Sequence, residues 1–196
     1  ACCCCVPSSL EQASQLLEPC RQAWLAEVPA AGAMGGALGR RVRALYMRGG
    51  TPTTLTAPQM DRLLTAVQQH LPHPREFTVE AGRPETITRE KLEVLHRHGV
   101  GRISINPQSM HDEVLQNVGR LHTVQQIEEC YRMTRQVGNF EINMDLIAGL
   151  PGDDEAGLLE SVRRLIDLQP ENITIHCLAR KKGSPLRFGP QGQLPA

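Results

Sequence analysis

Apolar and polar positions along the chain alternate between two kinds of segment. Short apolar, β-branched runs read as strands: Ala44–Met47, Phe77–Glu80, Arg102–Ile105, Glu141–Ile147 and Ile173–Leu178. Between them lie stretches with helical punctuation. Ser8–Val28 carries helical spacing through Leu10, Leu16, Leu17 and Leu25, with Ser8 or Ser9 as its cap. Thr56 caps a helix to Leu71, with Pro58 in its first turn. Thr88 opens a helix to His98 that Gly99 closes. A short helix is expected over Asp112–Val118, a longer one over Thr123–Val137 closed by Gly138, and one over Asp154–Leu168 that stops before Pro170. Pro29–Gly39 is rich in Ala and Gly and reads as a loose linker.

Five strand–helix repeats in sequence imply a parallel sheet with right-handed crossovers. No Gly-x-Gly-x-x-Gly follows the first strand, and no Gly-Lys-Ser/Thr is present. The even spacing suits a curved, partial (β/α) barrel better than a flat doubly wound sheet, and in such barrels the chemistry gathers at the C-terminal strand ends.

Those ends carry polar punctuation. In order they present Arg48-Gly49-Gly50-Thr51-Pro52, Glu80, Gln108, Arg120, Asp145 and Cys177-Leu178-Ala179. Asp145 stands in the apolar run Asn143–Ala148, which breaks at Gly149-Leu150-Pro151-Gly152. A carboxylate there needs a partner, either a ligand hydroxyl or a backbone donor, because burying one alone is costly. The two glycines permit close backbone approach. Arg120 offers a fork for a carboxylate, Gln108 both donates and accepts, and Glu80 and Asp145 accept from an ammonium or a diol. Together they suit a zwitterion joined to a nucleoside. Taken singly, Glu80 and Arg120 also suit an ordinary ion pair, Gly49-Gly50 an ordinary turn, and His176 either a ligand contact or a hydrogen-bonded core histidine.

Composition narrows the field. The chain has 196 residues, with 21 basic and 21 acidic side chains and 3% aromatics. Balanced charge argues against nucleic-acid binding, and few aromatics argue against base stacking. No run is long and apolar enough for a membrane span. The seven cysteines are Cys2, Cys3, Cys4, Cys5, Cys20, Cys130 and Cys177, an odd number with four contiguous. That is no disulfide framework, and it predicts a cytoplasmic protein. Cys20, Cys130 and Cys177 are expected to be packed thiols.

The strand-end residues taken as a set resemble the radical S-adenosylmethionine (SAM) superfamily. Within it, the oxygen-independent coproporphyrinogen III oxidase family is similar over Arg43–Leu186. The matching residues are Gly49-Gly50-Thr51-Pro52, Glu80, Gln108-Ser109, Gly119-Arg120-Leu121-His122-Thr123 and Asp145–Gly152. The stretches Glu80–Thr88 and Ile105–Met110 resemble its HemZ-like coproporphyrinogen dehydrogenase branch. The resemblance implies a partial (β/α)6 barrel lacking its first strand, over residues 1–188, followed by a polar tail over 189–196. It implies that Gly49, Gly50 and Thr51 hold the methionine end of SAM, and that Glu80, Gln108 and Arg120 bind its polar groups. Asp145 would take the ribose or a second SAM, and Ala179 would give a backbone contact.

The implied reaction uses a reduced [4Fe–4S] cluster to split SAM. The resulting radical takes hydrogen from a propionate of coproporphyrinogen III, and loss of carbon dioxide leaves a vinyl group, on the way to protoporphyrinogen IX. The implied partners are coproporphyrinogen III and an electron donor such as flavodoxin or ferredoxin. Haem chaperones of the same family, and a degenerate SAM-binding scaffold, are the alternatives.

The sequence departs from the family in two places. The family holds its cluster with Cys-x-x-x-Cys-x-x-Cys, because soft thiolates suit iron–sulfur clusters. Here Cys4 falls on the third of these, Ala1 on the second, and the first precedes the chain. The run reads as a truncated terminus, and the chain as it stands is expected to be inactive. Cys2 and Cys5 form a Cys-x-x-Cys pair suited to zinc or a disulfide, although four contiguous cysteines are poor geometry for one metal. Arg48 stands where the family has a glycine, and arginine tolerates positive φ poorly. Lys181-Lys182 reads as a solvated rim that also suits a propionate.

Overall fold

Eleven helices and strands alternate along the chain, which is seen in a computed structural model that describes residues 10–49, 51–71 and 74–179. They are α1 (Leu10–Ala37), β1 (Ala44–Met47), α2 (Ala57–His70), β2 (Glu76–Gly82), α3 (Arg89–Arg97), β3 (Arg102–Gln108), α4 (Asp112–Asn117), α5 (Val124–Val137), β4 (Glu141–Ala148), α6 (Glu155–Leu168) and β5 (Asn172–Cys177). Helix starts follow side-chain chemistry. Thr56 and Thr123 each accept from the backbone N–H three residues on, while Gln59 and Gln126 reach back to the cap N–H, so both form full capping boxes. Thr88 and Asp154 cap α3 and α6 through one such bond.

The five strands are parallel and lie in the order β1-β2-β3-β4-β5. Residues paired across a ladder share a face, and alternate residues face opposite ways. Val79, Ile103, Ile142 and their alternates join one apolar cluster with Met60 and Leu64 of α2, Leu92 and Leu95 of α3, and Ile127 of α5. The other face is polar. Glu80, Ser104, Asn143 and Asn172 are successive partners across it, and Asp145 pairs with Thr174 one step further along.

Two features differ from the sequence reading. α1 continues through Pro29 to Ala37, so the expected linker is helical. Local propensity disfavours this stretch, and packing of Leu25 and Val28 against the core carries the helix on, as tertiary contacts override propensity. Gly32 lets α1 approach α2, where an added Cβ would meet the His70 carbonyl oxygen at 2.5 Å. β2 and β3 run on to Gly82 and Gln108, through register shifts at Glu80/Gly82 and Ile105/Gln108. Gly138 closes α5 as expected, in an extended conformation (φ −169), and a Cβ there would strike His96 Nδ1 at 2.5 Å. The remaining elements agree with expectation to within a residue or two. Residues 189–196 of the expected tail lie outside the described residues. No described helix is long and apolar enough to cross a membrane.

Two substitutions gauge these forces in urea unfolding. Thr123→Ala is expected to lower stability by about 1 kcal/mol through loss of a cap. Ile103→Ala is expected to cost about 3 kcal/mol through an unfilled space in the core.

Candidate functional site

The C-terminal ends of β1 and β2 are locked together by the loop between β1 and α2. Thr53 Oγ1 donates to the Ala81 carbonyl at 2.6 Å, and Lys91 Nζ donates to the carbonyls of Thr53 (2.6 Å) and Thr86 (2.9 Å). Burial lowers the Lys91 pKa. Thr51 lies beside Gly82, its methyl 3.6 Å from where a Cβ would sit. Gly49 takes φ +98 with open space beside it. Arg48 is not in the positive-φ region, so the left-handed turn falls on Gly49, and the arginine is accommodated without strain. Gly50 lies outside the described residues.

On the polar face of the sheet, Glu80 Oε1 accepts from Asn106 Nδ2 at 3.5 Å, and its Oε2 lies 3.7 Å from Arg48 Nε. Arg120 makes no ion pair among the described residues, so the simple Glu80–Arg120 pair is not formed. Asp145 is half-buried and accepts from Asn143 Nδ2 at 2.6 Å. The Asn143 amide also donates to Ser104 Oγ at 3.3 Å, and its oxygen accepts from Asn172 and from Thr174 Oγ1. The partner of Asp145 is therefore an asparagine side chain two residues away, and its second oxygen lies 3.9 Å from His176 Nε2. His176 is largely exposed, so it is not a core histidine. Leu178 N–H donates to Ala148 O at 2.9 Å and sets exposed Ala179 just beyond β5.

Three buried polar atoms, two near the end of β3 and one in the link between α4 and α5, have no partner among the described residues: Asn106 Oδ1, Gln108 Oε1 and Arg120 Nε. Gln108 and Arg120 are 6% and 8% exposed. Gln108 also takes φ +77, one of two described non-glycine residues with positive φ. An unpaired buried donor or acceptor costs about 1–3 kcal/mol, and a charged one more. Backbone strain at a non-glycine persists only where its surroundings enforce it, and such strain gathers at functional sites.

The Arg120 segment is held from both sides. Its N–H donates to Leu115 O at 2.8 Å, and Gly119 takes φ +72 to end α4. Two residues on, buried His122 lies with Nδ1 2.8 Å from Glu85 Oε2 and Nε2 3.3 Å from Pro107 O. Burial opposes ionisation of Glu85, but hydrogen bonds from His122 and the backbone outweigh it and hold its pKa below the ordinary 4.5.

Among the candidates, the structure thus links Glu80 to Arg48 and Asn106, and Asp145 to Asn143 and His176, on one face of the sheet. It sets Gln108 and Arg120 at the adjoining strand end and loop. Asn106 and Asn143 were missed as candidates, although each is an amide interrupting an apolar strand, which is the available signal.

Cys4 and the rest of Cys2–Cys5, like Lys181-Lys182, lie outside the described residues. Among the described residues, no three His, Cys, Asp or Glu side chains stand together as metal ligands. Cys130 is buried, which pushes its thiol up to about 12 and leaves it inert. Cys177, expected to be packed, is exposed because β5 is the last described strand of the sheet. The orphaned atoms fit SAM: a guanidinium for a carboxylate, and amide oxygens for donors.

The family model described as the radical SAM superfamily matches residues 4–165. The chain belongs to the radical SAM superfamily. Members of this superfamily use SAM with a [4Fe–4S] cluster. Among curated relatives, the oxygen-independent coproporphyrinogen-III oxidase-like protein HemZ of Bacillus subtilis is 46% identical over 149 residues, 74% of this chain and 30% of HemZ. The haem chaperone HemW of Escherichia coli is 35% identical over 140 residues, 70% of this chain and 37% of HemW. A solved structure of coproporphyrinogen III oxidase (HemN) from Escherichia coli, described as a radical SAM enzyme, superposes with TM-score 0.73 at 26% identity, covering 92% of this chain and 41% of HemN. The fold is therefore an arc of the radical SAM barrel, and the chain spans under half the length of these relatives.

The depressed Glu85 pKa sets a pH signature. Stabilisation by this carboxylate is present above its unfolded pKa and is lost as pH falls through its folded value. The stability difference between the wild type and Glu85→Gln should therefore be largest near neutrality and shrink as pH drops below about 4.5; urea midpoints across the acid range measure it.

Proposed function

We propose that the polar strand-end rim binds SAM, and that the whole protein performs the oxygen-independent oxidative decarboxylation of coproporphyrinogen III propionates to vinyl groups. The observation that carries the SAM site is the buried Arg120 guanidinium with an unpartnered Nε. A charge left unpaired in the interior calls for an anion, and a carboxylate is the ligand group that matches its fork. Gly49, Gly50 and Thr51 would face the methionine end, and Glu80, Gln108 and Arg120 the amino and carboxylate groups. Asp145, oriented by Asn143, would accept from the ribose, and Ala179 would offer its backbone. The cluster, with Cys4 as one ligand, would supply one-electron chemistry when bound, fed by a donor such as flavodoxin or ferredoxin. The residues of this chain bind and orient SAM and exclude water, while the cofactors carry the hard chemistry.

The identity to HemZ favours the oxidase-like branch. The HemW relatives favour a second reading, a haem chaperone sharing the same SAM rim. Anaerobic incubation of the whole, cluster-reconstituted protein with coproporphyrinogen III and reductant separates the two. Formation of protoporphyrinogen IX supports the oxidase, and haem transfer without turnover supports the chaperone.

Loss of a charge-assisted contact sets the scale for the SAM site. Arg120→Ala should raise the Kd for SAM about 10- to 100-fold in isothermal titration, and Arg120→Lys should fall between it and the wild type. Unchanged affinity in both variants would remove Arg120 from the site.

A further inference from the structure

We propose that His122, oriented by Glu85, is a positioning residue that sets Gln108 and Arg120 for the ligand. The idea rests on the SAM reading above and goes beyond it, since neither residue is assigned a role there. Three separate segments meet at this imidazole. Glu85 belongs to the turn after β2, Pro107 to the end of β3, and His122 to the link between α4 and α5. The ring bridges them, with a carboxylate oxygen at 2.8 Å on Nδ1 and a carbonyl oxygen at 3.3 Å on Nε2. Both nitrogens face acceptors, so the bridge is complete when each carries a hydrogen.

What the bridge holds is specific. The Pro107 carbonyl and the Gln108 N–H share one planar peptide unit. Fixing that oxygen fixes the plane from which Gln108 departs at φ +77. Without an anchor, a non-glycine residue would relax out of that strained region. On the other side, His122 is two residues from Arg120, with exposed Leu121 between them. The same ring therefore holds the backbone beside Gln108 and near Arg120, two of the three side chains with a buried atom lacking a partner among the described residues. His122 itself is fully buried as a side chain, whereas Glu85 keeps 23% of its side chain exposed and can be changed without opening the interior.

The test compares two ligands on the whole protein. SAM uses both ends of the site; 5′-methylthioadenosine keeps the nucleoside and lacks the amino-acid head. Glu85→Ala and His122→Phe should each raise the Kd for SAM about tenfold, the scale typical of orienting residues behind a ligand contact. Binding of 5′-methylthioadenosine should stay within about twofold, because Asp145 is held by Asn143 rather than by this bridge. Glu85→Gln retains an acceptor oxygen for the Nδ1 hydrogen and should restore most of the SAM affinity. Should His122→Phe fail to fold, Glu85→Ala carries the test alone. Unchanged SAM affinity, or equal loss of both ligands, overturns the positioning role while the SAM site stands. If the wild type binds neither ligand, the SAM reading falls and this role falls with it.

Discussion

Parallel strands usually bury both faces under helices and read as unbroken apolar runs. Among the described residues, only one face of this sheet does so. Val79, Ile103, Ile142 and Met144 pack against the helices, while the partners Glu80, Ser104, Asn143 and Asn172 line the opposite face. That division is affordable because the amides and hydroxyls satisfy one another: Asn143 alone engages Ser104, Asp145, Asn172 and Thr174. A polar ladder of this kind fixes which way each carboxylate points. The groups left without a partner among the described residues lie near the end of β3 and in the α4–α5 link.

The strand-end rim works against the fold that presents it. Unpartnered Gln108 Oε1 and Arg120 Nε, together with positive φ at Gln108, each cost on the order of 1–3 kcal/mol. Against a total stability of about 5–15 kcal/mol for a domain, that is a large share. A ligand that pairs these atoms returns the loss: at a hundred times its Kd it adds about 2.7 kcal/mol. The locks around the rim offset the rest. Lys91 binds two carbonyls, Thr53 ties the β1 loop to β2, and the Glu85–His122 bridge ties the α4–α5 link to β3.

Sequence reading found what is set locally and missed what is set across strands. The caps at Thr56, Thr88, Thr123 and Asp154 are legible because the capping side chain and the N–H it satisfies are three residues apart. The length of β3 was not legible, because Pro107 reads as a stop; the strand accommodates it at a register shift that exists only opposite β4. α1 was cut short because Pro29–Gly39, rich in Ala and Gly, reads locally as a linker, whereas its packing is set across the fold. At the site, Glu80, Gln108, Arg120 and Asp145 stood out as polar ends of apolar strands. Glu85 and His122 did not, since 37 residues separate them and only the fold brings the turn after β2 against the α4–α5 link.

The arginine in place of a family glycine fits the same picture. Arg48 lies over the Tyr46 ring at 5.9 Å and 3.7 Å from Glu80, with most of its side chain in water. An exposed ion pair of that length is worth at most about 1 kcal/mol. A ligand ammonium entering between them would face only that weak competition, and Glu80 would keep its Asn106 contact on the other oxygen. Arg48 therefore need not close the site. It supplies a counter-charge to Glu80, and the positive φ that the turn demands passes to Gly49 one residue later.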